Sequence, residues 1–467
     1  MTKAKGTGPS GTAPPGSSGI TVIVVGLGIG GLSAVIECQR KGHHVIGIEQ
    51  QSSLKPIGDS IGLASNAATV VKKWGDGSVD AALAPLLNLP DTMDICDSAG
   101  KLLVRSRMAG YGEGHGYPCH RGELAMVLYE HARTLECVEF RLGHRILDYW
   151  EDNTRAGVIM DGERLAADCV IAADGVHSQA RRFVSGDDGR PHSSGYAMYR
   201  AWFDAEAVAT DPETRWVVDN TETAERDNTW VFIGEDIHLM LGTAKAGKEV
   251  FWMCTHKDVY DIGESWSFPG KVEDALKIIE NWPIAQTLRP VLIKTPANRL
   301  IDFKLLWRDP LDTWISKSGR IMVIGDAAHP YLPTSGQGAG QAIEDAATVA
   351  ITLELSGRRD VKAGLKVAEK LRYQRACKIQ QMGIETRDSW HKADWDQLEQ
   401  NAAIIEMPRP HWIFGHDCQE YAYAEFEKAM HSVRTGVEYQ PSNIAPEGED
   451  HQKVDFQAHV AATGVAA

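Results

Sequence analysis

The chain is poor in three things that would each point to a large class of proteins. No apolar run approaches the roughly 20 residues of a membrane-spanning helix. Runs such as residues 20–25 and 321–324 are only strand-sized, so a bilayer span is excluded. Positive charge is in deficit: 48 Lys and Arg against 63 Asp and Glu leave a net charge of −15. A nucleic acid or an anionic membrane is therefore a poor partner, and a small molecule a better one. The eight cysteines, at 38, 96, 119, 137, 169, 254, 377 and 418, include no CxxC pair and no repeated spacing. That fits a reducing compartment, no structural metal, and thiols acting as small buried hydrophobes.

Targeting signals are missing as well. Residues 1–19, rich in Gly, Pro, Ser and Thr, have neither the apolar core of a secretory signal nor the pattern of a transit peptide. The polar stretch 441–467 ends in no peroxisomal or retention motif. Both read as disordered tails, and the cytoplasm is the assignment left over. What is present is an ordinary globular composition, 43% apolar and 24% charged, on a chain long enough for two folded units sharing one ligand.

An apolar strand over residues 20–25 runs into Gly26-Leu27-Gly28-Ile29-Gly30-Gly31, then a helical pattern over 32–41, then a second strand ending at Glu49. A GxGxxG alone is weak evidence, but this one follows a strand, opens a helix and is answered by an acid at the end of the next strand. Gly26 permits the tight turn, Gly28 lets backbone amides approach a pyrophosphate, and Gly31 allows close packing of helix on strand. The positive end of the helix dipole then faces the phosphates. Glu49 is placed to take ribose hydroxyls and to repel a 2′-phosphate.

A second signature separates FAD from NAD. Residues 321–324 form a buried strand that delivers Gly325-Asp326-Ala327-Ala328-His329-Pro330, and Gly336-Gln337-Gly338-Ala339-Gly340-Gln341 opens a helix carrying Glu344 and Asp345. A third segment, a strand over 169–173 followed by Asp174-Gly175-Val176-His177-Ser178-Gln179-Ala180-Arg181, reads DGxxSxxR. Together these resemble the single-component FAD-dependent aromatic monooxygenases, which include p-hydroxybenzoate and salicylate hydroxylases. The resemblance covers roughly residues 20–345. It implies that Asp326 contacts ribitol, that Gly338 and Ala339 meet the flavin ring, and that Asp174 belongs to a motif serving FAD and a transient NAD(P)H. It further implies that Arg121 lies near the flavin phosphates and ring and that the backbone of Gly62 passes close to the flavin. The glycines of residues 110–116 lack a preceding strand and a following helix, so they read as a loop; with no second fingerprint, NAD(P)H must visit rather than reside.

The implied fold is α/β: a Rossmann-type, p-hydroxybenzoate hydroxylase-like FAD-binding domain interrupted by a mainly antiparallel β substrate domain, with a helical C-terminal region. The expected boundaries are a tail over 1–19, FAD-binding segments over 20–190 and 305–370, a β domain over 191–304, a helical region over 371–440 and a tail over 441–467.

On the substrate side, Arg200 lies on an apolar strand where an unpaired charge is expensive. It resembles an arginine placed over the flavin in fungal salicylate-hydroxylase-like enzymes, and the alternative is a structural salt bridge to Asp174 or another buried acid. Asp59 could receive a substrate N–H or amine, pair with Arg200, or simply be a turn acid. Gly242 stands where phenol-hydroxylating relatives tend to carry tyrosine, which argues against a phenolate substrate. Residues 266–270 and 390–395 resemble fungal monooxygenases of alkaloid biosynthesis that epoxidise the 2,3-bond of an indole.

The expected activity is therefore an NAD(P)H- and O₂-consuming FAD monooxygenase. Acting through a flavin C4a-hydroperoxide, it would oxygenate an electron-rich aromatic, with indole epoxidation of an alkaloid in fungal secondary metabolism favoured. The alternatives are a salicylate-type phenol hydroxylase and a non-oxygenating FAD reductase or FAD-binding protein.

Overall fold

The computed structural model describes residues 17–108, 116–186, 192–221, 225–258, 268–391, 401–406 and 409–445. The glycine-rich loop over 110–115, Trp266, Ser267 and Trp395, and most of both tails lie outside these residues.

The nucleotide-binding half is built on a five-stranded parallel sheet. Its order is Ile321–Val323, Cys169–Ala172, Thr21–Val25, His44–Glu49 and Val138–Leu142. Its strands are short and rich in β-branched residues; Val22, Val24, Val45, Val170, Ile171 and Ile321 are fully buried, as a parallel sheet covered on both faces requires. The helix Ile29–Arg40 packs on one face of the sheet and against the helix Gly338–Ser356.

The second sheet has seven strands: Leu300–Trp307, His192–Asp204, Glu249–Lys257, Ile237–Ala244, Thr229–Gly234, Thr92–Asp97 and Leu102–Arg107. Every neighbouring pair is antiparallel except one, where Trp230 lies opposite Asp94 in a parallel junction. The two strands over 92–107 were expected to belong with the first FAD-binding segment. They complete the substrate sheet instead, because the strand Thr229–Gly234 needs a partner on its second edge.

The two faces of this sheet have different fates. Tyr199, Ala201, Phe203, Trp252 and Leu241 pack with Leu276, Leu288 and Val291 from the helices Val272–Ile278 and Ala285–Leu292, and with Ile279 just past the first of them, into a closed core. The alternate residues, Met198, Arg200, Trp202, Met240 and Met253, point to the opposite face.

The helix Val361–His391 runs from the nucleotide half to that second face. Arg372 and Arg375 on it meet Glu344 and Asp345 in a fully buried ion-pair cluster: Arg372 Nε lies 2.9 Å from Asp345, and Arg375 Nε lies 2.9 Å from Glu344. Burial alone would raise the Glu344 carboxyl, but Arg375 and Arg372 outweigh it and hold the group well below the usual carboxylate range. Six of the eight cysteines are buried as expected; Cys377 is only partly covered and Cys137 is exposed.

Candidate active site

Two helix N-termini converge on one place. The helix Ile29–Arg40 begins after Gly28, and Gly338–Ser356 begins after Gln337. Neither has a side-chain cap or an acid in its first turn, so both positive ends are left for a ligand. They meet through glycine: a Cβ on Gly30 would lie 3.1 Å, and one on Gly325 3.0 Å, from the Cβ of Ala342.

The three fingerprint glycines divide their work as the spacing demands. Gly26 adopts φ +84°, and a Cβ there would strike the Ala173 carbonyl at 2.6 Å. At Gly31 a Cβ would fall 1.8 Å from the Gly26 carbonyl oxygen. Around Gly28 nothing lies within 4 Å of an added Cβ, so the chain keeps an open cradle at the point where a pyrophosphate would approach the backbone. Glu49 accepts hydrogen bonds from the Leu27 amide at 2.9 Å and the Gln51 amide at 3.0 Å. This orients its carboxylate beside the cradle, and each oxygen keeps a lone pair for a hydroxyl.

At the other end of the groove, Asp326 is reached by solvent yet ringed by protein, as a side chain lining a deep cleft must be. Burial pushes its carboxyl up, partly offset by the charges of His329 and Arg121. The loop bearing it is held from two sides. Asp345 accepts from the Gly325 amide at 3.0 Å and contacts His329 at 2.6 Å, and buried Arg181 donates to the carbonyls of Ala328 at 2.9 Å and Asp309 at 2.6 Å. Glu344 and Asp345 are thus scaffold, while Arg181 ties the DGxxSxxR segment to the Asp326 loop. Asp174 accepts from the Tyr149 hydroxyl at 3.2 Å and the Gln179 amide at 3.0 Å.

Gly62 lies in the two-stranded ribbon Ser60–Leu63/Tyr117–His120, opposite Pro118. Arg121 starts the helix that follows, with its amide donating to the Asp59 carbonyl at 2.7 Å. Its charge acts on Asp59, Arg200 and Asp326, so it sits between the cofactor groove and the large sheet.

On the sheet side, Arg200 Nε lies 2.8 Å from Asp59, with side chains only 4% and 9% exposed. Asp174 is not its partner. Its guanidinium carbon also stands 4.8 Å from the centre of the Phe303 ring. Burial pushes the Asp59 carboxyl up, against the charges of Arg200, Arg121 and His120; burial likewise lowers Arg200, against Asp59. Next along, His120, Trp202 and Phe251 form an aromatic row with ring centres 5.1 and 4.9 Å apart. The Phe251 ring fills the space over Gly242: a Cβ there would lie 2.5 Å from it.

A parallel-sheet dinucleotide groove with two uncapped helix ends, joined to a β-sheet wall carrying a buried Arg–Asp pair, defines a flavoprotein of the p-hydroxybenzoate hydroxylase-like fold. The FAD binding domain family matches residues 19–282 and 310–382, and the chain belongs to that family. It is 43% identical over 94% of its length to asperlicin C monooxygenase of Petromyces alliaceus, covering 95% of that protein. It is 38% identical over 97% of its length to notoamide E oxidase of Aspergillus versicolor, covering 99% of it. Among solved structures, CtdE in complex with FAD and a substrate superposes with a TM-score of 0.85 at 41% identity, over 89% of this chain and all of that one. A salicylate hydroxylase substrate complex, 23% identical with a TM-score of 0.70 over 88% of this chain and 98% of that one, shares the fold. The chain is an FAD-dependent monooxygenase. Among the described residues no helix is long and apolar enough to cross a membrane, and no group of three or more His, Cys, Asp or Glu could hold a metal ion.

Proposed function

We propose that this monooxygenase uses NAD(P)H and O₂ to oxygenate the electron-rich ring of an indole-bearing alkaloid in fungal secondary metabolism. FAD, once reduced, supplies the activated oxygen; the chain's own residues hold the cofactor, orient the ring and manage charge. Gly26, Gly28 and Gly31 cradle the pyrophosphate, Glu49 takes the ribose, and Asp326 takes the ribityl chain. Gly338 and Ala339, with the backbone of Gly62, border the flavin ring. Arg121 bridges the cofactor and substrate sides, and Asp174 orders the loop where a nicotinamide nucleotide visits.

The observation that carries the substrate reading is the buried Asp59–Arg200 pair, on the same face of the large sheet as Gly242. Arg200 donates to the oxygen being transferred, where negative charge develops. Asp59 holds that guanidinium and offers a carboxylate to a substrate N–H. A phenol gains from a base that takes its proton; at position 242 the Phe251 ring occupies the space where such a group would stand. An indole ring is nucleophilic without losing a proton, so this wall suits it. The relatives' names, an asperlicin C monooxygenase and a notoamide E oxidase, give each a small-molecule substrate to oxidise, which supports a small-molecule substrate here.

The deciding experiment reduces the holoenzyme anaerobically with NADH or NADPH and then admits ¹⁸O₂ with a tryptophan-derived alkaloid or with salicylate. One labelled oxygen atom in the indole product supports the reading. Coupled turnover of salicylate alone makes the protein a phenol hydroxylase, and reoxidation without labelled product in either case overturns the indole reading.

A further inference from the structure

We infer that His238, held by His391, is a second recognition point in the substrate groove, binding a polar amide-type group that the aromatic substrate carries away from the ring that is oxygenated. The inference rests on the reading of an indole-bearing substrate and adds where its remote end is recognised.

The register of the large sheet sets the geometry. Across the face that bears Arg200, one row of directly opposed residues runs Ile301, Arg200, Met253, Met240, Val231, Ile95 and Val104. Its far end is covered, because Val231 and Ile95 pack with Trp390 and Ile405. Its near end carries the pair with Asp59. Met253 and Met240 between them are only partly buried in the middle of a seven-stranded sheet, so they floor an open groove. The adjacent row on the same face runs Phe303, Met198, Thr255, His238 and Ile233. His238 is thus two strands across and one residue pair along from Arg200, roughly 12 Å away. That separation exceeds a single ring and suits a ring bearing a second, polar portion.

His238 has the environment of a ligand-binding group. Its Nδ1 lies 2.7 Å from His391 Nε2, and the Trp390 ring meets it edge-on with centres 5.2 Å apart. His391 in turn rests 4.6 Å from the Tyr196 ring, whose hydroxyl donates to Asp236 at 2.6 Å. With Nδ1 committed to His391, Nε2 is the ring nitrogen left to face the groove. Like Asp326, His238 is reached by solvent yet ringed by protein, as a cavity wall must be. Burial and the neighbouring His391 lower it to about 3, so it is neutral at working pH and binds by hydrogen bonding rather than charge.

Two measurements on the FAD-loaded enzyme test this. Diethyl pyrocarbonate followed by peptide mapping reads accessibility: His238 is expected to be acylated in the native protein, more slowly in the presence of N-acetyltryptophanamide. Flavin-perturbation titrations then compare N-acetyltryptophanamide, which carries amides, with 3-methylindole, which has none. His238→Leu is expected to weaken the first about tenfold, the weight of one hydrogen bond with its desolvation, and the second less than twofold. His238→Gln, which keeps a donor and an acceptor, should recover part of the loss and serves if the leucine variant does not fold. A His238 labelled only after denaturation, or equal weakening of both ligands, overturns the assignment. If neither indole perturbs the flavin, the indole reading fails, and the labelling result alone decides whether His238 faces the groove.

Discussion

Asp59 and Arg200 meet at 2.8 Å although one precedes the ribbon beside the cofactor groove and the other lies midway along a strand of the large sheet. The pair stitches the ribbon beside the Rossmann-type half to the large sheet. Replacing Arg200 by lysine keeps the charge but loses the planar fork. Arg200→Lys is expected to retain FAD while product formation falls by roughly two orders of magnitude, the scale of losing one aimed donor. NAD(P)H consumption should continue, with hydrogen peroxide in place of product. Full coupling at the parental rate would show that Arg200 is scaffold.

The pH dependence follows from Asp59. Its carboxyl is raised by burial, so as pH falls it takes a proton sooner than an ordinary aspartate, and the ion pair is lost with it. Coupling efficiency should therefore decline on acidification with an apparent pKa above the ordinary aspartate value of about 3.9. In Asp59→Asn that limb should flatten, and the preference for tryptophan-derived ligands over salicylate should narrow. An unchanged limb in the variant would assign it to another group.

Glu49 accepts from the Leu27 amide and, on the proposed reading, from the ribose as well. Glu49→Ala should weaken FAD by at least the value of a charge-assisted hydrogen bond, about 1.5–3 kcal/mol. Asp326→Ala should likewise give loosely held flavin in a folded protein. Equilibrium dialysis of FAD with circular dichroism on the same samples checks both; a full yellow complement after purification would remove the residue concerned from the site.

The cluster of Glu344, Asp345, Arg372 and Arg375 predicts a stability effect with a defined pH sign. Arg372→Met leaves buried carboxylates short of a partner and should cost about 3–5 kcal/mol. Because Glu344 and Asp345 are depressed in the folded state, their contribution is fully present above the unfolded carboxylate value of roughly 4 and is lost as pH falls through the lower folded values. Denaturant melts across pH 7 to 3 should show the gap between parent and variant shrinking toward acid.

Those parts of the site carried by contiguous motifs were legible in the sequence. Gly26, Gly28, Gly31, Glu49 and the Asp326 loop announce themselves because turn, helix start and acid follow at fixed spacing. Arg200 and Asp59 stood out because each is a charge in an apolar or glycine-rich setting, and their pairing was one of the alternatives left open. The strands over 92–107 gave no such sign: their junction with Thr229–Gly234 is a long-range parallel pairing, and alternation along a strand does not say which strand is its neighbour. The contact of His238 with His391 was hidden for the same reason, since a lone histidine on a strand carries no local mark of a partner more than a hundred residues away. Cys137 is exposed against the expectation for a thiol, because residue type reports a tendency, whereas exposure depends on what packs over the site.

The helix Val361–His391 is anchored at its middle in the nucleotide-binding half and at its end against the large sheet. Arg372 and Arg375 fix it to the helix Gly338–Ser356, and roughly 24 Å further on its last turn delivers Trp390 and His391 to the large sheet. On the inference that His238 reads the substrate, substitutions in that last turn reshape what the enzyme accepts without touching the fingerprint glycines or the Asp326 loop. Divergence toward new metabolites has a ready address there, at the end of a long lever rather than in the catalytic core.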